Sequence, residues 1–264
     1  MQRKFARAWL GAAVLAFSAF VPPALAADAP AAAVPPAQRE AIEAVIQDYL
    51  QRHPEVVQNA LQALQAREER ERARAQREAL AQHRGELLDD RATPVGGDPQ
   101  GKVAVVEFFD YSCPHCKQSE PAIQALLAKD RSVRVVYKEL PILGPDSLHA
   151  ARAALASMKQ GKYPAFHKAL MEADSVDPQS VKAIAAKVGL DVPRLLRDME
   201  DPAIAQAIER NSQLASELGI QGTPAFVIGG QLLPGEVDAN TLSALVAVEK
   251  AQLGLAQNVS DDKH

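Results

Sequence analysis

Cysteine is nearly absent from this chain: among 264 residues only Cys113 and Cys116 occur. With no third cysteine, neither can be a spare member of a structural disulfide framework. Structural zinc needs about four ligands. The six histidines (His53, His83, His115, His149, His167 and His264) offer no second ligand pair at a recognisable spacing. A c-type haem needs histidine directly after the second cysteine, and Lys117 stands there. Methionine numbers only 4, with no Met-rich or His-rich tract for metal storage. Basic charge is not in excess: 29 Lys and Arg against 33 Asp and Glu give a net charge of −4. That argues against nucleic acid as a partner. No apolar run reaches the roughly 20 residues of a membrane-spanning helix. No internal repeat is evident.

The chain does have the start of an exported protein. Arg3, Lys4 and Arg7 form a positive stretch, Trp9 to Val21 an apolar one, and Ala24-Leu25-Ala26 a small-x-small cleavage site. Residues 1–26 are therefore expected to be a signal peptide, with the mature chain beginning at Ala27. Export to an oxidising compartment such as a bacterial periplasm follows, where a lone vicinal thiol pair is free to cycle.

Hydrophobic residues make up 47% of the chain, enough for a substantial core. Asp28 to Ala37 is rich in Ala and Pro and reads as a linker. Ile42, Val45, Ile46, Tyr49 and Leu50 recur at helical spacing; His53-Pro54 interrupts, and Val56, Val57, Ala60, Leu61 and Leu64 continue the stripe. From Arg67 to Arg84 the sequence is Glu, Arg, Ala and Gln with Leu80 as the one large apolar residue: helical by propensity, with little to bury. Residues 27–90 are thus expected to be a helical segment. Its stripe packs either on the main domain or on another copy of itself, with the charged helix as a spacer; self-association is the reading favoured. Thr93-Pro94, Gly96-Gly97 and Asp98-Pro99 punctuate a boundary at 91–101.

Beyond the boundary, strands are expected at about 103–109 and 132–138, flanking a helix at about 113–129. A helical stretch runs over about 145–220, with breaks near Gly161, Asp177, Asp191 and Pro202. Short strands follow at 225–228 and 231–233, then a helix from Asp238 to about Leu253. This β-α-β, helices, β-β-α order is that of an α/β thioredoxin fold with an inserted helical domain, filling residues 91–264.

The chemistry lies in Cys113-Pro114-His115-Cys116, placed just after the apolar run Val103–Phe109. A strand feeding C-x-x-C at a helix start is the signature of a redox-active dithiol. Thiolates, not thiols, attack disulfides, and an ordinary cysteine is only roughly 3% ionised at neutral pH. Cys113 at the helix N-terminus meets unpaired N–H groups and the positive end of the dipole. Pro114 loses no needed hydrogen bond there, and His115 can add a positive or hydrogen-bonding partner. Cys116, one turn further in, should be buried and act as the resolving thiol. The Cys113–Cys116 disulfide is then the only cofactor expected, and no metal site is. Copper(I) would nevertheless suit such soft thiolates.

Glu107-Phe108-Phe109-Asp110-Tyr111-Ser112-Cys113-Pro114-His115-Cys116 resembles the active-site segment of the DsbA family of exported thiol–disulfide oxidoreductases. The resemblance covers about residues 91–255. It implies that Gly222-Thr223-Pro224 is a loop with a cis proline facing the dithiol, with the Thr223 backbone pairing with an extended client segment. It also implies a buried acid and lysine beneath the site, matched by Glu107 and Lys138. The two would be either a proton shuttle for Cys116 or a satisfied structural pair. One residue departs: strongly oxidising members carry valine where Thr223 stands, and threonine is similar to the DsbC-type isomerases. Upstream, Tyr49-Leu50-x-x-His53-Pro54-Glu55-Val56 resembles the N-terminal region of ScsC-like proteins, a segment implicated in oligomerisation.

The expected activity is disulfide exchange, as oxidase or isomerase, with exported client proteins, a membrane redox partner protein and a homo-oligomeric state. Two other readings remain open: copper binding or copper tolerance through the same thiols, and a chaperone or adaptor built on the helices.

Overall fold

The computed structural model describes residues 35–90 and 93–255. The expected signal peptide and most of the linker after it lie outside the described residues. The chain divides into two compact units, one ending at Ala63 and one beginning at Leu64.

In the first unit, helix α1 (Pro36–Arg52) starts at a proline in its first turn and ends at His53. Helix α2 (Pro54–Gln82) starts at the next proline. The apolar stripe forms as the periodicity predicts, yet it covers nothing. Val45 is 68% exposed and Leu61 55%, and Ile42, Ile46, Tyr49 and Val57 are exposed as well. Helix α1 buries no residue.

The second unit takes the remainder of α2, the short helix α3 (Arg84–Leu88) and a five-stranded sheet. Its strands are β1 (Val95–Gly97), β2 (Val103–Phe109), β3 (Val133–Glu139), β4 (Ala225–Ile228) and β5 (Gln231–Pro234). They lie in the order β1-β3-β2-β4-β5, with β2 and β3 parallel and every other pair antiparallel. Helix α4 (Pro114–Lys129) makes the crossover between the parallel strands. Between β3 and β4 run α5 (Pro145–Ser157), α6 (Tyr163–Met171), α7 (Pro178–Lys187), α8 (Val192–Asp198) and α9 (Pro202–Glu217). Asp177, Asp191 and Asp201 each precede a helix and accept backbone N–H bonds at its start. Alanines at 150, 151, 153, 154 and 156 are buried in α5, so neighbouring helices can approach it closely. Helix α10 (Ala239–Gln252), capped by Asp238, closes the unit.

The sheet is buried on both sides, which is why Val103–Phe109 reads as a nearly continuous apolar run. Alternation along the strands sorts the residues. Val105, Phe109, Val135 and Tyr137 join one core cluster with α4 and the inserted helices. Val106, Phe108, Val136 and Val227 join a second cluster with Leu80, Leu87, Leu214 and Leu218. The charged helix therefore does bury something. Leu80 and Leu87 are 3% and 2% exposed, and by contacts the compact unit begins at Leu64. His83 adds a polar tie, with Nδ1 2.9 Å from Glu86 Oε1 and Nε2 3.4 Å from Glu217 Oε2.

Strand β1 falls where the sequence suggested only punctuation. Glycine stands at positions 96 and 97 of this strand because side chains do not fit there. A Cβ on Gly96 would lie 2.8 Å from the Tyr137 ring, and one on Gly97 2.6 Å from Leu127.

Candidate active site

The loop Asp110–Ser112 delivers Cys113 to the start of α4. The Asp110 carboxylate accepts from Ser112 N (2.7 Å) and Leu143 N (2.9 Å), and the Asp110 carbonyl accepts from Cys113 N (3.0 Å). Cys113 is the N-cap residue, in extended conformation, and Pro114 opens the helix. Cys113 and Cys116 both turn inward, one helical turn apart, and both thiols are free. Cys113 is 4% exposed and Cys116 fully buried. Burial pushes the Cys116 thiol well above its ordinary value; the Asp110 backbone opposes this, while Glu107 and Cys113 add to it.

The Cys113 thiol donates to the Thr223 carbonyl at 3.2 Å, and the Thr223–Pro224 peptide bond is cis. The loop and the dithiol, expected to face each other from the resemblance alone, are in contact. A groove of about 530 Å³ runs beside the loop, lined by Thr223, Pro224, Leu232 and Pro234 and by Gln76 of α2.

Of the remaining site residues, only the pairing of Glu107 with Lys138 requires correction. His115 lies between the inward cysteines in the helical phase, so its ring points outward. It is exposed, with Nδ1 3.2 Å from Glu236 Oε2. Glu107 and Lys138 do not form a pair. In the parallel register Glu107 lies opposite Tyr137 and Phe108 opposite Lys138, so the two side chains project from opposite faces of the sheet. Lys138 Nζ donates to Glu86 O (2.7 Å) and Thr93 Oγ1 (2.8 Å); burial lowers its pKa to about 8. Glu107 stays on the dithiol face, fully buried, with no hydrogen bond to either carboxylate oxygen. Burial, then Glu120, Glu139 and Cys113, holds its carboxyl well above the usual range.

Sequence reasoning missed most of Glu107's surroundings. Glu120 sits one turn below Cys116 on α4 and accepts from Gln124 at 2.6 Å. Glu139 of β3 accepts from Tyr111 (3.2 Å) and Tyr163 (3.0 Å), and burial raises its pKa well above the ordinary value. His167 of α6 reaches Tyr111 at 2.9 Å. Glu120 was legible from the i, i+4 spacing, and Glu139 from sharing Glu107's face. Nothing local marked His167. The one grouping of metal-capable side chains among the described residues is His83, Glu86 and Glu217, which includes neither cysteine.

Residues 104–247 match the model of the DSBA-like thioredoxin domain, and residues 38–71 that of the copper resistance protein ScsC N-terminal domain. The chain is similar to a solved thioredoxin-like oxidoreductase of Silicibacter pomeroyi (47% identity, 64% of this chain and 98% of that one, TM-score 0.62). It is also similar to a linker-deletion mutant of Proteus mirabilis ScsC (30% identity, 84% and 99%, TM-score 0.63). Among curated relatives, a thiol:disulfide interchange protein DsbA of Bordetella parapertussis is 29% identical over 150 residues, 54% of this chain and 71% of that protein. The chain spans only 25–27% of the first curated relatives it matches, Na(+)/H(+) antiporters of the NhaA type. Among the described residues no helix is long and apolar enough to cross a membrane. The matched domain, the inward thiol pair and the cis-proline loop agree: the chain belongs to the DsbA-like family of thioredoxin-fold thiol–disulfide oxidoreductases.

Proposed function

We propose that this protein is a periplasmic thiol–disulfide exchange enzyme, oxidase or isomerase, exported by a signal peptide cleaved after Ala26. The observation that carries the reading is the Cys113 thiol at a helix N-cap, bonded to the carbonyl before a cis proline, over a buried second thiol. Cys113 as thiolate attacks a client disulfide; one client sulfur bonds to Cys113 and the other leaves as thiolate and takes a proton. Cys116 then gives its proton to Glu107 in its ionised form and attacks Cys113. The second client sulfur departs as thiolate and takes a proton from solvent, the Cys113–Cys116 disulfide forms, the client is left as a dithiol, and Glu107 afterwards returns its proton to solvent. Run backward, the same steps oxidise a client. The Cys113–Cys116 pair is itself the redox cofactor, recharged by a membrane redox partner protein.

The groove beside Thr223 and Pro224 suits an extended client segment, whose backbone can pair with Thr223 once the Cys113 thiol releases that carbonyl. The exposed stripe of residues 42–61 is the face on which copies of the chain associate, as an unpartnered apolar helix face of this kind requires. Exchange on a scrambled and on a reduced multi-disulfide substrate tests the reading and sets its direction. Cys113→Ser is expected to abolish activity and Cys116→Ser to trap mixed disulfides; retention of full activity by both variants would end it.

The match of residues 38–71 to a copper resistance domain supports a second reading, copper(I) capture by the same thiols. Stoichiometric binding by the reduced protein, lost in Cys113→Ser, is its signature.

A further inference from the structure

Beneath Cys116 lies a set of buried polar groups with too few hydrogen bonds. Glu120 and His167 are 4% and 1% exposed. Glu120 Oε2 and His167 Nε2 each lack a hydrogen-bond partner, yet they lie 3.6 Å apart, within ion-pair range. The other ring nitrogen is placed to carry a proton of its own. With Tyr111 giving its single hydroxyl proton to Glu139, its oxygen, 2.9 Å from His167 Nδ1, accepts from an Nδ1–H. If Glu120 were ionised and His167 neutral, Nε2 would turn a lone pair on a carboxylate in a dry interior. One proton held between the two atoms removes that conflict.

We propose that His167, from the helical insertion, is a positioning residue for the dithiol: with Glu120 it holds one proton under Cys116, and this keeps Glu107 able to accept the Cys116 proton. The inference rests on the disulfide-exchange reading. The titratable groups facing this space are Glu107 from β2, Tyr137 and Glu139 from β3, Tyr111 and Cys113 from the active-site loop, Cys116 and Glu120 from α4, and Tyr163 from α6. None of these can carry positive charge; Lys138, between Tyr137 and Glu139 in the chain, is on the other face of the sheet. After burial, Glu120 is the largest of the influences opposing ionisation of Glu107. A proton shared with His167 cancels that charge. In the resolving step the Cys116 proton passes to a Glu107 oxygen, the Cys116 sulfur bonds to the Cys113 sulfur, and the partner sulfur leaves as thiolate.

The test uses reduced full-length mature protein and glutathione disulfide, which serves as the oxidant. The reaction is quenched with acid and alkylated at intervals from pH 4 to 8. Mass spectrometry separates the dithiol, the glutathione adduct of Cys113 and the internal disulfide. In His167→Gln the acid limb of the resolving step should move up by about one pH unit, a tenfold longer-lived adduct at a fixed pH below the limb. Glu120→Gln, which removes a charge the shared proton already cancels, should leave the limb in place, and so should the double variant. A merely structural role for His167 would lower the rates of His167→Gln at every pH and leave its limb in place; that result, or a downward move in Glu120→Gln, overturns the proposal. Glu120→Gln carries the test alone if His167→Gln fails to fold. A wild-type protein that never forms the internal disulfide overturns the exchange reading and this one together; an active wild type with an unmoved limb in His167→Gln, or a shifted one in Glu120→Gln, overturns only this one.

Discussion

Replacing Leu80 and Leu87 together by alanine measures whether the end of the charged helix and the short helix α3 after it are spacers or structural parts of the catalytic unit. Both are buried against Val106, Phe108, Val136 and Leu140, on the sheet face opposite the dithiol. Each change removes three carbons, about 2.4 kcal/mol at about 0.8 kcal/mol per carbon. The cavity left behind brings each to about 3–4 kcal/mol. The two share one cluster and need not add, so the double variant should lose about 5–7 kcal/mol. A domain's whole stability is about 5–15 kcal/mol, so the variant should sit near the edge of folding. Urea unfolding at fixed protein concentration, followed by far-UV circular dichroism, reads the loss. Tryptophan fluorescence cannot serve, because the only tryptophan, Trp9, is in the expected signal peptide. Val248→Ala, at a site 48% exposed, is the control and should change stability by no more than about 0.5 kcal/mol. A loss below about 1 kcal/mol in the double variant would refute the packing argument and restore the spacer reading.

Two further substitutions separate the faces of the sheet by their pH dependence. Lys138 has a folded pKa of about 8 against 10.5 for the free side chain, so between those values the unfolded chain binds more protons and stability rises with pH. Lys138→Met should erase that rise, which is worth at most about 3 kcal/mol; parallel urea curves at pH 7.5 and 10 for both proteins would refute it. Glu107 has the opposite sign: its folded pKa is raised, so wild type loses stability as pH climbs above 4.5. Glu107→Gln should therefore be more stable than wild type at pH 7 but not at pH 4, each tenfold change in acidity being worth about 1.4 kcal/mol. An equal difference at both pH values would show that the carboxylate is not held neutral by its surroundings.

Legibility in the sequence followed how local each signal was. The apolar run at 103–109 became β2 with the same limits, and the breaks near Asp177, Asp191 and Pro202 became helix starts, because an Asp-Pro or similar step caps and opens a helix within a few residues. Cys113, Cys116 and the Thr223–Pro224 loop were found because motif and element order place them. Strand β1 was hidden because two of its three residues are glycines, chosen for closeness to Tyr137 and Leu127 rather than for strand propensity. Leu80 looked too isolated to anchor a helix, since its neighbours in the core, Leu87 and Leu218, come from other helices. His167 lacked any marker because its partners lie on α4 and in the active-site loop.

The misplacement of Lys138 has the most chemical content. Two residues on adjacent strands share a face only if the register puts them in the same parity, and one residue of register separates Glu107 from Lys138. A lysine beside Glu107 would have stabilised the carboxylate and drawn its pKa down. It would also have left the pair ionised whether or not Cys116 held its proton. With the lysine bonded to Glu86 O and Thr93 on the far face, Glu107 faces Glu120, Glu139 and Cys113 and no lysine. Burial raises the pKa of this carboxyl and of the Cys116 thiol alike, so it is the ionised form of Glu107 that takes the Cys116 proton. The two groups disfavour charge for the same reason. Moving a proton between them therefore exchanges one buried anion for another instead of creating a new one, which is the condition for proton transfer without water in so dry a site.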